Sequence, residues 1–259
     1  MSVTPSASAA SSGSAEFEVK LNLVAATLDS SGAPIADIRS AFGLGGRPRE
    51  LSYGFFDTDS LELKAAGWSV RLRHKGAGRL ELNYKKRFPV RDGDIYAALA
   101  DARRQGFDSP FAAQVDWTYD RQTLSLAVTA SESAKGFPGS ALPRESEART
   151  MLIGRVPGLL ADWTAPDWGK NKLRAAVPHG PVTATEWRGR WQGVDPSIEV
   201  LPVRDAARTG TEIIIELSFK TRSIDSAKSL RSTAISTLEQ RGWLAPVDIL
   251  KTDLILARY

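Results

Sequence analysis

The stretch Glu16-Phe17-Glu18-Val19-Lys20-Leu21-Asn22-Leu23 alternates strictly. Glu16, Glu18, Lys20 and Asn22 share one face of an extended chain, and Phe17, Val19, Leu21 and Leu23 share the other, a period of two that predicts a strand. One such strand is compatible with a half-exposed antiparallel sheet whose polar face meets water. Repetition changes that reading. If several strands carry long side chains of both charges on one face and apolar residues on the other, a closed barrel with a charged lumen becomes the better account.

The pattern recurs along the chain. Trp68 to Lys75 places Ser69, Arg71, Arg73 and Lys75 opposite Val70, Leu72 and His74, and Gly76-Ala77-Gly78 predicts a hairpin loop. The return run, Arg79 to Arg87, gathers Glu81, Asn83, Lys85 and Arg87 opposite Leu80, Leu82 and Tyr84. Later, Thr183 to Gln192 aligns Glu186, Arg188, Arg190 and Gln192, with Trp187 and Trp191 behind them. Ser197 to Leu201 sets Glu199 against Ile198 and Val200, and Thr211 to Lys220 aligns Glu212, Ile214, Glu216, Ser218 and Lys220. His74 falls with the apolar set, which suits a packed, hydrogen-bonded imidazole.

Each apolar face needs a cover. Ser223 to Gln240 carries Ala227, Leu230, Ala234, Ile235 and Leu238 on one helical stripe, with Gly242 just beyond. A second helix is predicted over Ile95 to Arg104, opened by Asp92 or Asp94 and ended by Gly106. A shorter one carries Ile35, Ile38 and Phe42 and stops at Gly43-Leu44-Gly45-Gly46. That glycine run lacks the Lys-Ser/Thr ending of a phosphate loop and reads as a helix stop and turn.

Composition narrows the function classes. The 259 residues are 42% hydrophobic and 25% charged, sufficient for a genuine core. With no cysteine and only His74 and His179, thiolate chemistry and a histidine-rich metal site are excluded. The net charge of +4 permits anionic partners, but the basic residues alternate with acids inside strands instead of forming the patch nucleic acid needs. Met1 to Ala15 is Ser/Ala-rich and uncharged and reads as a disordered tail without the features of a secretory signal. No run is long enough for a membrane span, so a cytoplasmic location is predicted.

Together these residues resemble the CYTH, or triphosphate tunnel metalloenzyme, superfamily. The resemblance is carried by Glu16-x-Glu18-x-Lys20, by Phe56-Asp57-Thr58 leading to Arg71-x-Arg73, by Lys85 after the hairpin and by the late strand bearing Glu216. It covers roughly residues 15–87 and 183–259, including the long helix and a closing strand after it. It implies an α+β fold, an antiparallel eight-stranded tunnel covered by helices, occupying residues 16–259. It also implies binding of a triphosphate with divalent cations, with hydrolysis the usual outcome. Some members instead cyclise ATP, so a cyclase, a lyase on another phosphoester and a polyphosphate binder are the alternatives.

Physical chemistry assigns the roles in the same sense. Guanidinium forks on Arg71, Arg73, Arg188 and Arg190 suit a polyphosphate, and Lys20 and Lys85 add point charges. Glu16 with Glu18, and Glu212 with Glu216, offer the oxygen ligands that Mg²⁺ or Mn²⁺ requires. Glu16, Glu18 and Lys20 form the expected catalytic group. Two departures stand out. Ile214 lies between Glu212 and Glu216, where the family often has another acid. The middle section, about 88–182, exceeds the family pattern; it carries a predicted hairpin of Gln114–Tyr119 with Thr123–Val128, and Trp163 and Trp168, expected to pack against Trp187 or Trp191.

Overall fold

A computed structural model describes residues 15–76 and 78–259. The expected tail, apart from Ala15, and Ala77 of the hairpin loop lie outside the described residues. The strands are β1 (Glu16–Asn22), β2 (Arg49–Asp57), β3 (Trp68–His74), β4 (Arg79–Pro89), β5 (Ala112–Trp117), β6 (Gln122–Ser133), β7 (Val177–Arg188), β8 (Ser197–Arg204) and β9 (Thr211–Thr221). They close into a barrel in the order β1-β5-β6-β4-β3-β2-β7-β8-β9.

The barrel therefore has nine strands among the described residues, not the expected eight, and it is mixed instead of wholly antiparallel. The two corrections are linked. Strand direction cannot alternate all the way around a ring with an odd number of members, so at least one neighbouring pair must run parallel. That pair is β1 and β5, in register Glu16↔Gln114 to Val19↔Trp117. The middle section is the cause: its hairpin, β5 with β6, enters the wall between β4 and β1.

The helices are α1 (Ala36–Ala41), α2 (Glu62–Ala65), α3 (Ile95–Arg104), α4 (Glu145–Gly154), α5 (Gly158–Ala161), α6 (Trp168–Ala175), α7 (Ile224–Gln240) and α8 (Lys251–Arg258). Asp94 caps α3 by accepting from the Ala97 N–H, and Ser223 caps α7 by accepting from the Ser226 N–H. Ala234 and Leu238 of α7 pack on Val19, Leu21, Leu217 and Phe219. Helices α3 to α6 bring Ala98, Ala102, Leu152, Leu160 and Leu173 onto Val70, Leu72, Leu82, Tyr84, Val115 and Leu124. These are the apolar faces read from the sequence.

The chain after α7 departs from the expected closing strand. It forms α8, whose Ile255 and Leu256 pack on Leu51, Tyr53, Phe55, Val182, Ala184, Leu201, Val203 and Ile214. On β8, Ile198 and Val200 belong to the cluster under α7, while Leu201 and Val203 belong to the cluster under α8. Neighbouring side chains of a strand face opposite ways, so α8 seats on the opposite face of the wall from α7.

Three further sequence readings resolve. His74 is buried and its Nδ1 lies 2.9 Å from the Ala141 carbonyl oxygen, as its place in the apolar set suggests. Strand β7 ends at Arg188 instead of continuing to Gln192. There Gly189 crosses Gly43 so closely that a Cβ at Gly189 would meet the Gly43 carbonyl oxygen at 2.0 Å, and one at Gly43 would meet that of Arg190 at 2.0 Å. Trp163 packs on Trp68 and Phe107 (centroids 5.5 and 5.9 Å apart), not on Trp187 or Trp191, which join the cluster under α7.

Candidate active site

Three groups of charged residues occupy the strand face opposite the apolar one. The first is centred on β1. Lys20 Nζ lies 2.8 Å from Glu18 Oε2 and 2.7 Å from Asp116 Oδ1, so one ammonium bridges two carboxylates on the parallel neighbours β1 and β5. Gln114 Nε2 donates to the same two groups at 2.7 Å each, and Ser125 Oγ donates to Asp116 Oδ2 at 2.7 Å. Lys85 stands farther off, 3.6 Å from Asp116 Oδ2. Lys220 Nζ meets Glu16 Oε2 at 2.5 Å.

Burial and pairing compete in this group. Burial alone would raise the carboxyl pKa of Glu18, but the Lys20 ammonium outweighs it and holds the group below its ordinary value. Asp116 is likewise held well below the carboxylate range, burial being overcome by Lys20 and then Lys85. For Lys85 burial wins. Asp116 and, more weakly, Glu18 compensate only in part, Lys20 and Arg87 add repulsion, and its pKa falls to about 8.

The second group lies on β3 and β4. Arg73 donates from Nε and Nη2 to Glu81 Oε2 at 2.8 and 2.6 Å, while Lys75 Nζ takes Glu81 Oε1 at 2.7 Å. Among the described residues Arg87 meets only hydroxyls, Ser69 Oγ at 3.4 Å and Thr252 Oγ1 at 3.1 Å. Arg71 makes no ion pair with any described residue, and its Nε is buried without a hydrogen-bond partner. Its guanidinium carbon lies 6.0 Å from the Tyr53 ring centroid. Burial, then the neighbouring Arg73, lowers its pKa to about 10, so it remains charged at neutral pH.

The third group gathers around α8. Lys251 Nζ lies 2.7 Å from Glu199 Oε1 and 2.9 Å from Glu216 Oε1, and Tyr53 donates its hydroxyl to Glu199 Oε1 at 3.1 Å. Glu199 and Glu216 are register partners on β8 and β9. Burial is overcome by Lys251 in lowering the Glu199 pKa, and by the two carboxylates in holding Lys251 well above its usual range.

The residues expected to form one site are thus only partly brought together. Glu16, Glu18 and Lys20 share β1, and Arg71, Arg73 and Lys85 share the β3–β4 wall. Glu212 is separated from Glu216 by four strand positions, about 13 Å, and meets Arg258 of α8 at 2.6 Å instead. Arg188 pairs with Glu186 at 2.9 Å, and Arg49 pairs with the same carboxylate. Arg190 is off the strand, exposed, and 3.6 Å from Asp195.

Asp116, Tyr53 and Lys251 were not foreseen. Asp116 had a signal, since Gln114 and Asp116 alternate with Val115 and Trp117 in a hairpin the sequence disclosed. Lys251 had none, because only the seating of α8 brings it to the acids.

Among the described residues, no group of three or more acidic or histidine side chains is arranged to hold a metal ion. The donor chemistry nevertheless fits Mg²⁺ or Mn²⁺. Both Glu18–Asp116 and Glu199–Glu216 already converge on a single cation, Lys20 or Lys251. A hard divalent ion commonly takes one or two carboxylates, with water and phosphate oxygens completing its shell.

No family model matches the chain, and no curated protein matches it. Solved structures do. HpAC1 of Hippeastrum, a candidate adenylyl cyclase with a dominant triphosphatase activity, superposes with a TM-score of 0.53 at 16% identity, over 92% of this chain and 93% of that one. A candidate adenylate cyclase from Bacillus halodurans gives 0.52 at 14% identity, over 91% and 95%. The chain therefore shares the fold of these two proteins.

Proposed function

We propose that the charged face lines the barrel lumen, that the lumen takes up a triphosphate, and that the chain hydrolyses it with Mg²⁺ or Mn²⁺. The observation that carries this reading is Arg71. A half-buried guanidinium with no carboxylate among the described residues and a buried, unpartnered Nε is costly unless an anion completes it. Phosphate oxygens supply that charge and match the guanidinium fork.

The remaining residues divide the work. Arg87, which has only hydroxyl partners, and Lys85, only loosely paired, add positive charge on the same wall. Arg73 is held in place by Glu81 and offers its outer nitrogen. Glu16 and Glu18, with Asp116 beside them, would hold the metal, and Lys20, which pairs with Glu18 and Asp116 in the free protein, would supply positive charge toward phosphate. When bound, the metal polarises the phosphoryl group and activates water. The similarity to HpAC1 favours hydrolysis over cyclisation.

The test is to incubate the chain with tripolyphosphate and, separately, ATP, each with Mg²⁺ or Mn²⁺, and to measure the products. Orthophosphate release that stops in excess chelator is expected. Pyrophosphate without orthophosphate from ATP would point to a cyclase, and no turnover to a binder.

A further inference from the structure

Of the two carboxylate pairs, one is bridged by a strand lysine and the other by a helix lysine. We infer that Lys251 is a built-in cation at the Glu199–Glu216 pair, so that the free protein binds one divalent ion, at the Glu16–Glu18 end, and none at this second pair. The inference rests on the reading of the barrel as a metal-assisted triphosphate site.

The geometry is that of a cation already in place. Glu199 and Glu216 are register partners whose Oε1 atoms converge on Lys251 Nζ at 2.7 and 2.9 Å, and Tyr53 closes on Glu199 from a third strand at 3.1 Å. A metal at their other oxygens would stand a few ångströms from a fixed positive charge, with little intervening water to screen it. Lys251 and Glu216 are respectively 21% and 7% exposed, so the ammonium is enclosed.

What separates Lys251 from Lys20 is its anchorage. Lys251 opens α8, and that helix is held along its length. Thr252 takes Arg87, Ile255 and Leu256 are buried in their cluster, Arg258 meets Glu212, and the Tyr259 carbonyl oxygen lies 2.8 Å from His179 Nδ1. Moving the ammonium off both carboxylates requires a change of side-chain rotamer or movement of the helix start. Ile214 fits the same account. It is the apolar residue between Glu212 and Glu216, and it is buried against α8. An acid there would be buried in the apolar cluster that also holds Ile255 and Leu256, so this core disfavours the third carboxylate that would strengthen a metal site.

The test counts Mn²⁺ bound to the full chain, without triphosphate, from the loss of the free-ion electron paramagnetic resonance signal at mildly alkaline pH. The wild-type chain is expected to take up one ion and Lys251→Met two, the second site being created when the ammonium leaves its carboxylates. Adding Glu199→Gln to Lys251→Met should return the count to one. Lys251→Arg, which keeps the charge, should remain at one. Two ions in the wild type, or one in a folded Lys251→Met, overturns the inference. If Lys251→Met does not fold, Glu199→Gln alone decides: an unchanged wild-type count and affinity supports the built-in cation, and weakened Mn²⁺ binding overturns it. Tripolyphosphate cleavage is scored separately. Two ions with cleavage intact sinks only this inference, whereas no cleavage by a chain that binds one ion sinks the hydrolase reading and leaves the built-in cation standing.

Discussion

The two carboxylate pairs are alike in chemistry and unlike in construction. Glu18 and Asp116 stand on adjacent parallel strands and share Lys20, a residue of the same wall. Glu199 and Glu216 stand on adjacent antiparallel strands and share Lys251, which arrives on a helix packed across them. The first ammonium sits at the end of a flexible stem beside a second, loosely held lysine. The second is carried by a helix seated through its buried Thr252, Ile255 and Leu256. Equal electrostatic pairing can thus be made exchangeable or permanent by the element that carries the cation.

The strongest way to break this contrast is to unseat the helix. Ile255 is fully buried between strands and α8. Ile255→Ala should lower the unfolding free energy by about 2–5 kcal/mol, as expected for a large-to-small core change. Denaturant titration measures it. A loss well under 1 kcal/mol would mean that α8 is not seated as described, and the permanence argued for Lys251 would go with it.

Arg71 tests whether phosphate binding depends on either pair. Because it has no carboxylate partner among the described residues, Arg71→Ala should cost about 2.7–4 kcal/mol of transition-state stabilisation, a 10²–10³ loss in turnover. Arg73→Ala should cost less, since Glu81 already claims that guanidinium. Extra Mn²⁺ should restore neither. Equal losses for the two arginines would show that the missing partner of Arg71 carries no functional meaning.

Glu18→Gln probes the exchangeable pair. It keeps shape but removes an anionic ligand, so the apparent Kd for Mn²⁺ should rise roughly tenfold or more, ~1.4 kcal/mol of binding. Turnover should fall with it and recover in part at high Mn²⁺. An unchanged Kd by calorimetry would remove Glu18 from the metal site.

Each pair was legible in part: Glu18 and Lys20 but not Asp116 in the first, Glu199 and Glu216 but not Lys251 in the second. Period two is a local signal, and it disclosed β1, β3, β4, β8 and β9 together with the faces on which Arg71, Arg73, Lys85 and Glu199 lie. The β5–β6 hairpin was also readable, yet nothing local said that it enters the barrel wall, and so Asp116 and the ninth strand were missed. Arg190 was misplaced for another reason. Its alternation with Trp191 mimics a strand, but the close crossing of Gly43 and Gly189 turns the chain away first. Lys251 depends on the tertiary seat of a short helix, which alternation along strands does not encode.

The finest discrimination comes from Lys85, the cation that the first pair leaves under-compensated. Burial brings its folded pKa to about 8 from an ordinary 10.5. Between those values the unfolded chain holds a proton that the folded chain does not, so this group makes stability rise with pH across that window. Below it, folding carries the full cost of burying an ammonium. Lys85→Met should therefore stabilise the free protein at neutral pH, raising the Tm by about 2–4 °C for ~1 kcal/mol, and the gain should disappear as the pH approaches the unfolded value. Triphosphate binding should respond in the opposite sense. In the wild type, affinity should weaken as pH rises past about 8, because the neutral amine no longer attracts phosphate. In Lys85→Met the affinity should be lower at neutral pH and should lose that step. Thermal melts and tripolyphosphate calorimetry over the same pH series measure both effects. A destabilised Lys85→Met with an unchanged pH profile would mean that Lys85 is a structural partner of Asp116 and not a charge held ready for phosphate.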